Sequence, residues 1–212
     1  MKNSQVIFDW SGTISNDFLI VLGAVNCVLT QFGKPTISPA GLRRSFSTDL
    51  KSWYAARGID DFDEVQRLYT EISGTNGKPK IIPGALEAVN RILELSPVSI
   101  FSSHPYVHLE QEARSYGLPT GKITLHGDVS KDIETPNQGF EKLLKEIPRE
   151  RVLYFGDTIV DINLANHYRL ISVAVADENY SYHDRRTLRK ANPKYLINSI
   201  SEASDLVRKI LT

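Results

Sequence analysis

Short apolar runs and amphipathic stretches alternate along most of the chain. "QVIFDW" (5–10), "VSIFSS" (98–103), "RVLYFGD" (151–157), "ISVAVA" (171–176) and "YLIN" (195–198) are brief, apolar and mostly rich in β-branched or aromatic residues. Runs of this kind, covered on both faces, are what a parallel sheet requires. Between or after them lie amphipathic stretches that predict helices: "PGALEAVNRILEL" (83–95), "HLEQEARSYG" (108–117), "GFEKLLKEI" (139–147), "DINLANHY" (161–168) and "SEASDLVRKIL" (201–211). The alternation predicts an α/β fold, a doubly wound Rossmann-like parallel sheet with right-handed crossovers.

One stretch breaks the rhythm. Over residues 14–82 the pattern is helical and offers no buried strand. "FLIVLGAVNCVLTQFG" reads as a long helix closed by Gly33. Ser38 is placed to cap a second helix that starts at Pro39, a favoured first helical position. "DFDEVQRLYTEIS" predicts a further helix, and the loop-like "GTNGKPK" follows it. The expected organisation is therefore a core of residues 1–13 and 83–212, with a helical cap inserted after the first strand.

Composition narrows the setting. Apolar residues make up 41% of the 212 and charged residues 24%, the balance of a folded rather than a disordered chain. Formal net charge is zero, which gives no electrostatic bias toward nucleic acid or an anionic membrane. The single cysteine, Cys27, excludes an internal disulfide and suits a reducing compartment. No run reaches transmembrane length, and "MKNSQVIFDW" lacks the apolar centre of a signal peptide, so a cytoplasmic protein is expected.

The chemistry lies at predicted strand ends. Asp9 closes the first run and is followed by Trp10, Ser11, Gly12 and Thr13. Ser102 and Ser103 close "VSIFSS", Lys131 lies in "GDVSKDIETP", and "YFGDTIVD" delivers Asp157 and Asp161. Open α/β sheets bind ligands at the carboxyl ends of their strands, so groups this far apart in sequence can converge. Carboxylates, a hydroxyl and a lysine together suit a divalent metal and a phosphate. Capping explains one of Asp157 and Asp161 well, but both together with Asp9 point to a site. The five histidines show no metal spacing and read as surface residues, and Arg43 and Arg44 read as a solvated helix face. Trp10 reads as a packing residue whose backbone N–H could face a phosphate.

These motifs, in this order, resemble those of the haloacid dehalogenase superfamily, in the branch with a helical cap. The resemblance implies that Asp9 is the nucleophile, Ser102 the phosphate-binding hydroxyl, Lys131 the motif lysine, and Asp157 and Asp161 the acidic pair. It also implies bound Mg²⁺, held by Asp9, the Ser11 carbonyl, Asp157 and Asp161, and a small phosphorylated metabolite as substrate. Trp10, Thr13 and Ser103 join the expected substrate contacts. The cap order, "LTQFGKPTIS" before "LRRSFSTDL", is similar to that of phosphoglycolate-type phosphatases.

Ser11 departs from the family pattern, which has a second aspartate there as general acid and base. Serine cannot fill that role near neutral pH, and such help is worth about 10²–10⁴-fold, roughly 3–5 kcal/mol. A weakened or altered reaction is therefore expected. Asp9-Trp10-Ser11-Gly12-Thr13 is also similar to the first motif of phosphonatases, which cleave a carbon–phosphorus bond through a cap lysine. Lys51 would be that lysine here, although the cap histidine of those enzymes has no counterpart and Tyr54 stands nearby. A phosphate-ligand binding or regulatory protein of the same fold is the alternative outside enzymes.

Overall fold

The computed structural model describes residues 4–73, 77–131, 141, 144, 145 and 147–211. Six parallel strands form the main sheet: β1 (Gln5–Asp9), β4 (Val98–Phe101), β5 (Thr124–His126), β6 (Val152–Gly156), β7 (Ile171–Val175) and β8 (Tyr195–Ile197). Their order is β5-β4-β1-β6-β7-β8. The chain builds outward from β1 on one side, then returns and builds outward on the other. That reversal beside β1 is the switch point where open α/β sheets place their ligands.

β1 is buried along its whole length, and alternate residues serve opposite faces. Val6 and Phe8 pack with Leu153, Phe155 and Val173 beneath α5 (Ala85–Leu93) and α9 (Ala203–Leu211). Ile7 joins Phe101, Tyr154 and Leu164 on the other face, beneath α7 (Ile159–His167). α6 (Tyr106–Ser115) and α8 (Arg185–Lys190) also belong to the core.

The helical insertion follows β1. It carries α1 (Phe18–Gln31), α2 (Pro39–Ser45), α3 (Leu50–Ala55) and α4 (Phe62–Ser73). Phe18, Leu22, Val25 and Leu29 recur at helical spacing on α1 and are buried, forming the stripe that packs against α4. Ser38 caps α2 as its sequence predicts, its Oγ accepting from the Gly41 N–H at 3.1 Å. Leu42, Trp53 and Val65 join that stripe in a hydrophobic cluster separate from those of the sheet. A short antiparallel ribbon, β2 (Ser15–Asn16) against β3 (Lys80–Ile81), lies at the base of the insertion and outside the main sheet.

The sequence pattern did not foresee the shortest elements. β2 and β3 are two residues each, too short for any periodicity. β5 is a three-residue edge strand with polar ends, and α3 and α8 span six residues each. The helix expected over 139–147 falls largely outside the described residues. No helix among the described residues is long and apolar enough to cross a membrane.

Candidate active site

Strand register assembles the site. Asp9 pairs with Phe101 across β1 and β4, so Ser102 follows immediately beside it. Phe8 pairs with Phe155 across β1 and β6, which sets Asp9 beside the end of β6, where Gly156 leads into Asp157. Three carboxylates, Asp9, Asp157 and Asp161, are buried there with one oxygen each inside a 4.8 Å cluster. Two glycines make this approach feasible. Gly12 turns the chain with φ +72°, and a Cβ there would stand 2.2 Å from Asp157 Oδ2. A Cβ on Gly156 would stand 2.3 Å from that of Asp161.

Lys131 reaches into the cluster. Its Nζ lies 2.5 Å from Asp9 Oδ1 and 2.7 Å from Asp161 Oδ1. Burial opposes its charge, but Asp161 and Asp9 outweigh burial and hold its pKa well above the ordinary lysine value. Asp161 is fully engaged: its other oxygen accepts from the Thr158 hydroxyl at 2.6 Å and the Thr158 N–H at 3.1 Å, closing a capping box on α7. Asp161 thus caps α7 and also stands against Lys131 in the carboxylate cluster. Asp157 instead accepts from the Tyr182 N–H at 2.5 Å and the Thr13 hydroxyl at 3.4 Å. Thr13 thus touches Asp157, and it does not line the cavity described below.

Crowding of like charge shows in the carboxylates. Burial and the neighbouring Asp161 raise the pKa of Asp9 to about 7, against the pull of Lys131. Burial, Asp9 and Asp161 push Asp157 well above the usual carboxylate range. Buried carboxylate oxygens that converge on one point and resist joint ionisation are a donor set suited to a hard dication such as Mg²⁺. The residues fit the metal that the resemblance implies.

A cavity of about 300 Å³ opens above this cluster, between core and insertion. Asp9, Ser11, Ser102, Ser103, His104 and Lys131 line its core end. Ser102 is buried, and its Oγ accepts from the His104 N–H at 3.1 Å. Ser11 Oγ lies 3.4 Å from His104 Nε2. The Trp10 side chain turns away from the cavity, stacking on Tyr116 and donating from Nε1 to Glu112 at 2.9 Å. Its backbone hydrogen-bonds Asp9. Lys51 is exposed on α3 and does not line the cavity.

Several residues at this site went unnoticed in the sequence. Asp17 precedes α1 without capping it; the buried carboxylate accepts from the Tyr182 hydroxyl at 3.0 Å. Tyr182 thus ties the root of the insertion to Asp157. Arg43 is not a solvated residue: it donates to the Ser181 carbonyl at 2.8 Å and the Asn179 carbonyl at 3.0 Å, with its guanidinium over Phe18. His183 is buried rather than superficial, with Nδ1 accepting from the Ile159 N–H and Nε2 beside the Phe46 carbonyl. His126 is half-buried against Phe101, while His108 and His167 are exposed as expected. An isolated Asp, Tyr or His carries no local pattern; only the loop after β7, reaching over to the insertion, gives these three a role.

The comparisons agree with this architecture. Residues 6–175 match the haloacid dehalogenase-like hydrolases, and the chain belongs to that family. A haloacid dehalogenase-like hydrolase from Streptococcus pneumoniae superposes with a TM-score of 0.79 at 16% identity, over 96% of this chain and 98% of that one. A phosphatase predicted in Clostridium acetobutylicum gives 0.76 at 17% identity, over 99% and 100%. A phosphoglycolate phosphatase predicted in Haemophilus somnus gives 0.73 at 15% identity, over 97% and 98%. At such identities the likeness is one of fold. No curated protein matches the chain.

Proposed function

We propose that this hydrolase is a Mg²⁺-dependent phosphatase of a small phosphorylated metabolite, acting through a phosphoryl group carried on Asp9. The observation that carries this reading is the Asp9 carboxylate on the cavity floor, 2.5 Å from Lys131 and clustered with Asp157 and Asp161. Asp9 attacks phosphorus in line, and the ester P–O bond breaks with its electron pair on the leaving oxygen. Water then attacks the phosphorus of the acyl phosphate. Its oxygen ends on the released phosphate and the Asp9 carboxylate is restored.

The other residues take graded parts. Lys131 offsets phosphoryl charge while Asp161 holds it in place. The Ser102 hydroxyl, which already accepts from the His104 N–H, gives its own proton to a phosphoryl oxygen. Asp9, Asp157 and the Ser11 carbonyl are the groups that would hold Mg²⁺, which supplies charge neutralisation at the phosphoryl group when bound. Thr13 positions Asp157. Residues 14–82 act as the cap whose closure excludes bulk water. Nothing in the placement of Lys51 supports a Schiff-base route.

Hydrolysis of p-nitrophenyl phosphate tests the reading. Turnover should require Mg²⁺ and vanish in Asp9→Asn. Phosphate-ester binding without any turnover would favour a ligand-binding protein instead, and borohydride trapping of an aldehyde on Lys51 would favour phosphonatase-like chemistry.

A further inference from the structure

The two ends of the cavity differ in chemistry. The core end carries Asp9, Ser102, His104 and Lys131, whereas Val21, Val25, Leu42, Phe46 and Trp53 give the cap end a mostly apolar wall, beside the neutral hydroxyl residues Ser47, Thr48 and Tyr69. Among the described residues, no cation lines that wall. None of the cap's arginines lines the cavity: Arg43 bonds the backbone of Asn179 and Ser181, and Arg57 bonds the Trp53 carbonyl and the Ser45 hydroxyl with its guanidinium over the Trp53 ring. The buried carboxyl group of Asp17 also lines the cavity. A substrate with a second anionic group, such as a carboxylate or another phosphate, would bury that group against this wall with no cation to pair it.

The core end imposes a second, independent selection. Ser11 can neither protonate the leaving oxygen nor activate water. A phenol, with a pKa of about 10, leaves as its anion far more readily than an aliphatic alcohol, which is a much weaker acid. An apolar wall and an absent acid thus select for the same leaving group. The cavity, about 300 Å³, stands at the small end of the roughly 300–1,000 Å³ range of ligand pockets. That size suits a phosphate and a small ring.

Resting on the phosphatase reading above, we infer that the substrates of this site are phosphate monoesters of small, uncharged aromatic alcohols. In the reaction Asp9 forms a bond to phosphorus as the aryl oxygen departs with the electron pair. The phenolate takes its proton from solvent, and water cleaves the Asp9 phosphoryl group.

Four probes with Mg²⁺ test this: phenyl phosphate, cyclohexyl phosphate, phosphoglycolate and acetyl phosphate. Phenyl phosphate should exceed phosphoglycolate in kcat/KM by about 10-fold or more. Cyclohexyl phosphate should share the KM of phenyl phosphate, because both fill the apolar wall, but its kcat should fall by about 10²-fold for want of an acid. Val21→Lys, which sets an ammonium in the wall, should narrow the gap in favour of phosphoglycolate. Asp9-dependent turnover of acetyl phosphate with no preference for phenyl phosphate over phosphoglycolate would overturn the inference and leave the phosphatase reading intact. If no ester turns over, the phosphatase reading fails, and calorimetry of Asp9→Asn with phenylphosphonate and phosphonoacetate still decides the selectivity. Tighter phenylphosphonate binding supports the aromatic site, and equal or reversed affinities overturn it.

Discussion

The core end of the cavity is made of charged groups at the ends of adjacent strands, placed by backbone register. Asp9 cannot move relative to Ser102 or Asp157 without breaking the pairing of β1 with β4 or β6. The cap end is made of side chains from α1, α2 and α3, together with Phe46, held by packing against one another and against Tyr182. One end is a fixed electrostatic frame; the other is a hydrophobic surface that can be recut without disturbing the frame. Chemistry and selection are thereby separable, and substitutions should sort accordingly.

The largest effect is expected at the frame. Lys131→Ala leaves Asp9, Asp157 and Asp161 without the ammonium that offsets them, and removes a donor to the phosphoryl group. Turnover should fall by about 10²–10³-fold, the loss typical of a single electrostatic donor, in a steady-state assay with saturating Mg²⁺. A change confined to KM would break the contrast between the two ends.

Leu42→Ala probes the other end. Leu42 is 1% exposed within the cap cluster and also lines the cavity. Its truncation should cost about 2–5 kcal/mol of stability by denaturant titration, while the Mg²⁺ affinity by calorimetry stays unchanged.

The carboxylate cluster makes a prediction with a definite sign. Asp9 has a pKa of about 7 in the folded protein against an ordinary 3.8, so without metal the fold holds a proton that the unfolded chain releases. Its contribution to stability is present below the ordinary value and is lost as pH rises to about 7. Burial lowers the pKa values of His126 and His183, which act in the opposite direction, so the comparison must be made within one background. Metal-free Asp9→Asn should therefore gain on the wild type in melting temperature as pH rises from about 5 to about 8. A gap independent of pH would contradict the crowded-carboxylate picture.

The smallest effect belongs to the tie between the ends. Arg43→Ala removes two hydrogen bonds from the cap to the loop after β7. It should cost about 1–2 kcal/mol and raise KM more than it lowers kcat. Equal losses in both would mean that the tie also sets the catalytic frame.

The same contrast decides what could be read from the sequence. Continuous apolar runs disclosed five of the six strands of the main sheet, and those of β1, β4 and β6 end in residues of the candidate site. Asp9, Ser102 and Asp157 stand at neighbouring strand ends, where a parallel sheet places its ligands, and Lys131 and Asp161 join them from the loop after β5 and from α7. Trp10 and Thr13, close in sequence to Asp9, place their side chains on Tyr116 and Asp157. Residues that act through tertiary packing left no signal. Arg43 looks like any charged helix residue until the fold brings the Asn179 and Ser181 carbonyls within its reach. Asp17 looks like a helix cap, and Tyr182 like a loop residue. β5 escaped notice because its three residues carry polar ends, whereas the equally short β8 was legible in its apolar run, and the six residues of α3 are too few to display a helical period.

The stereochemical course at phosphorus tests the role of Asp9 most directly. With an isotopically chiral aryl phosphate ester, attack by Asp9 followed by attack of water amounts to two in-line displacements. The account predicts net retention of configuration in the product, with turnover abolished in Asp9→Asn. Net inversion would mean that water attacks the ester directly, and would contradict a phosphoryl group carried on Asp9.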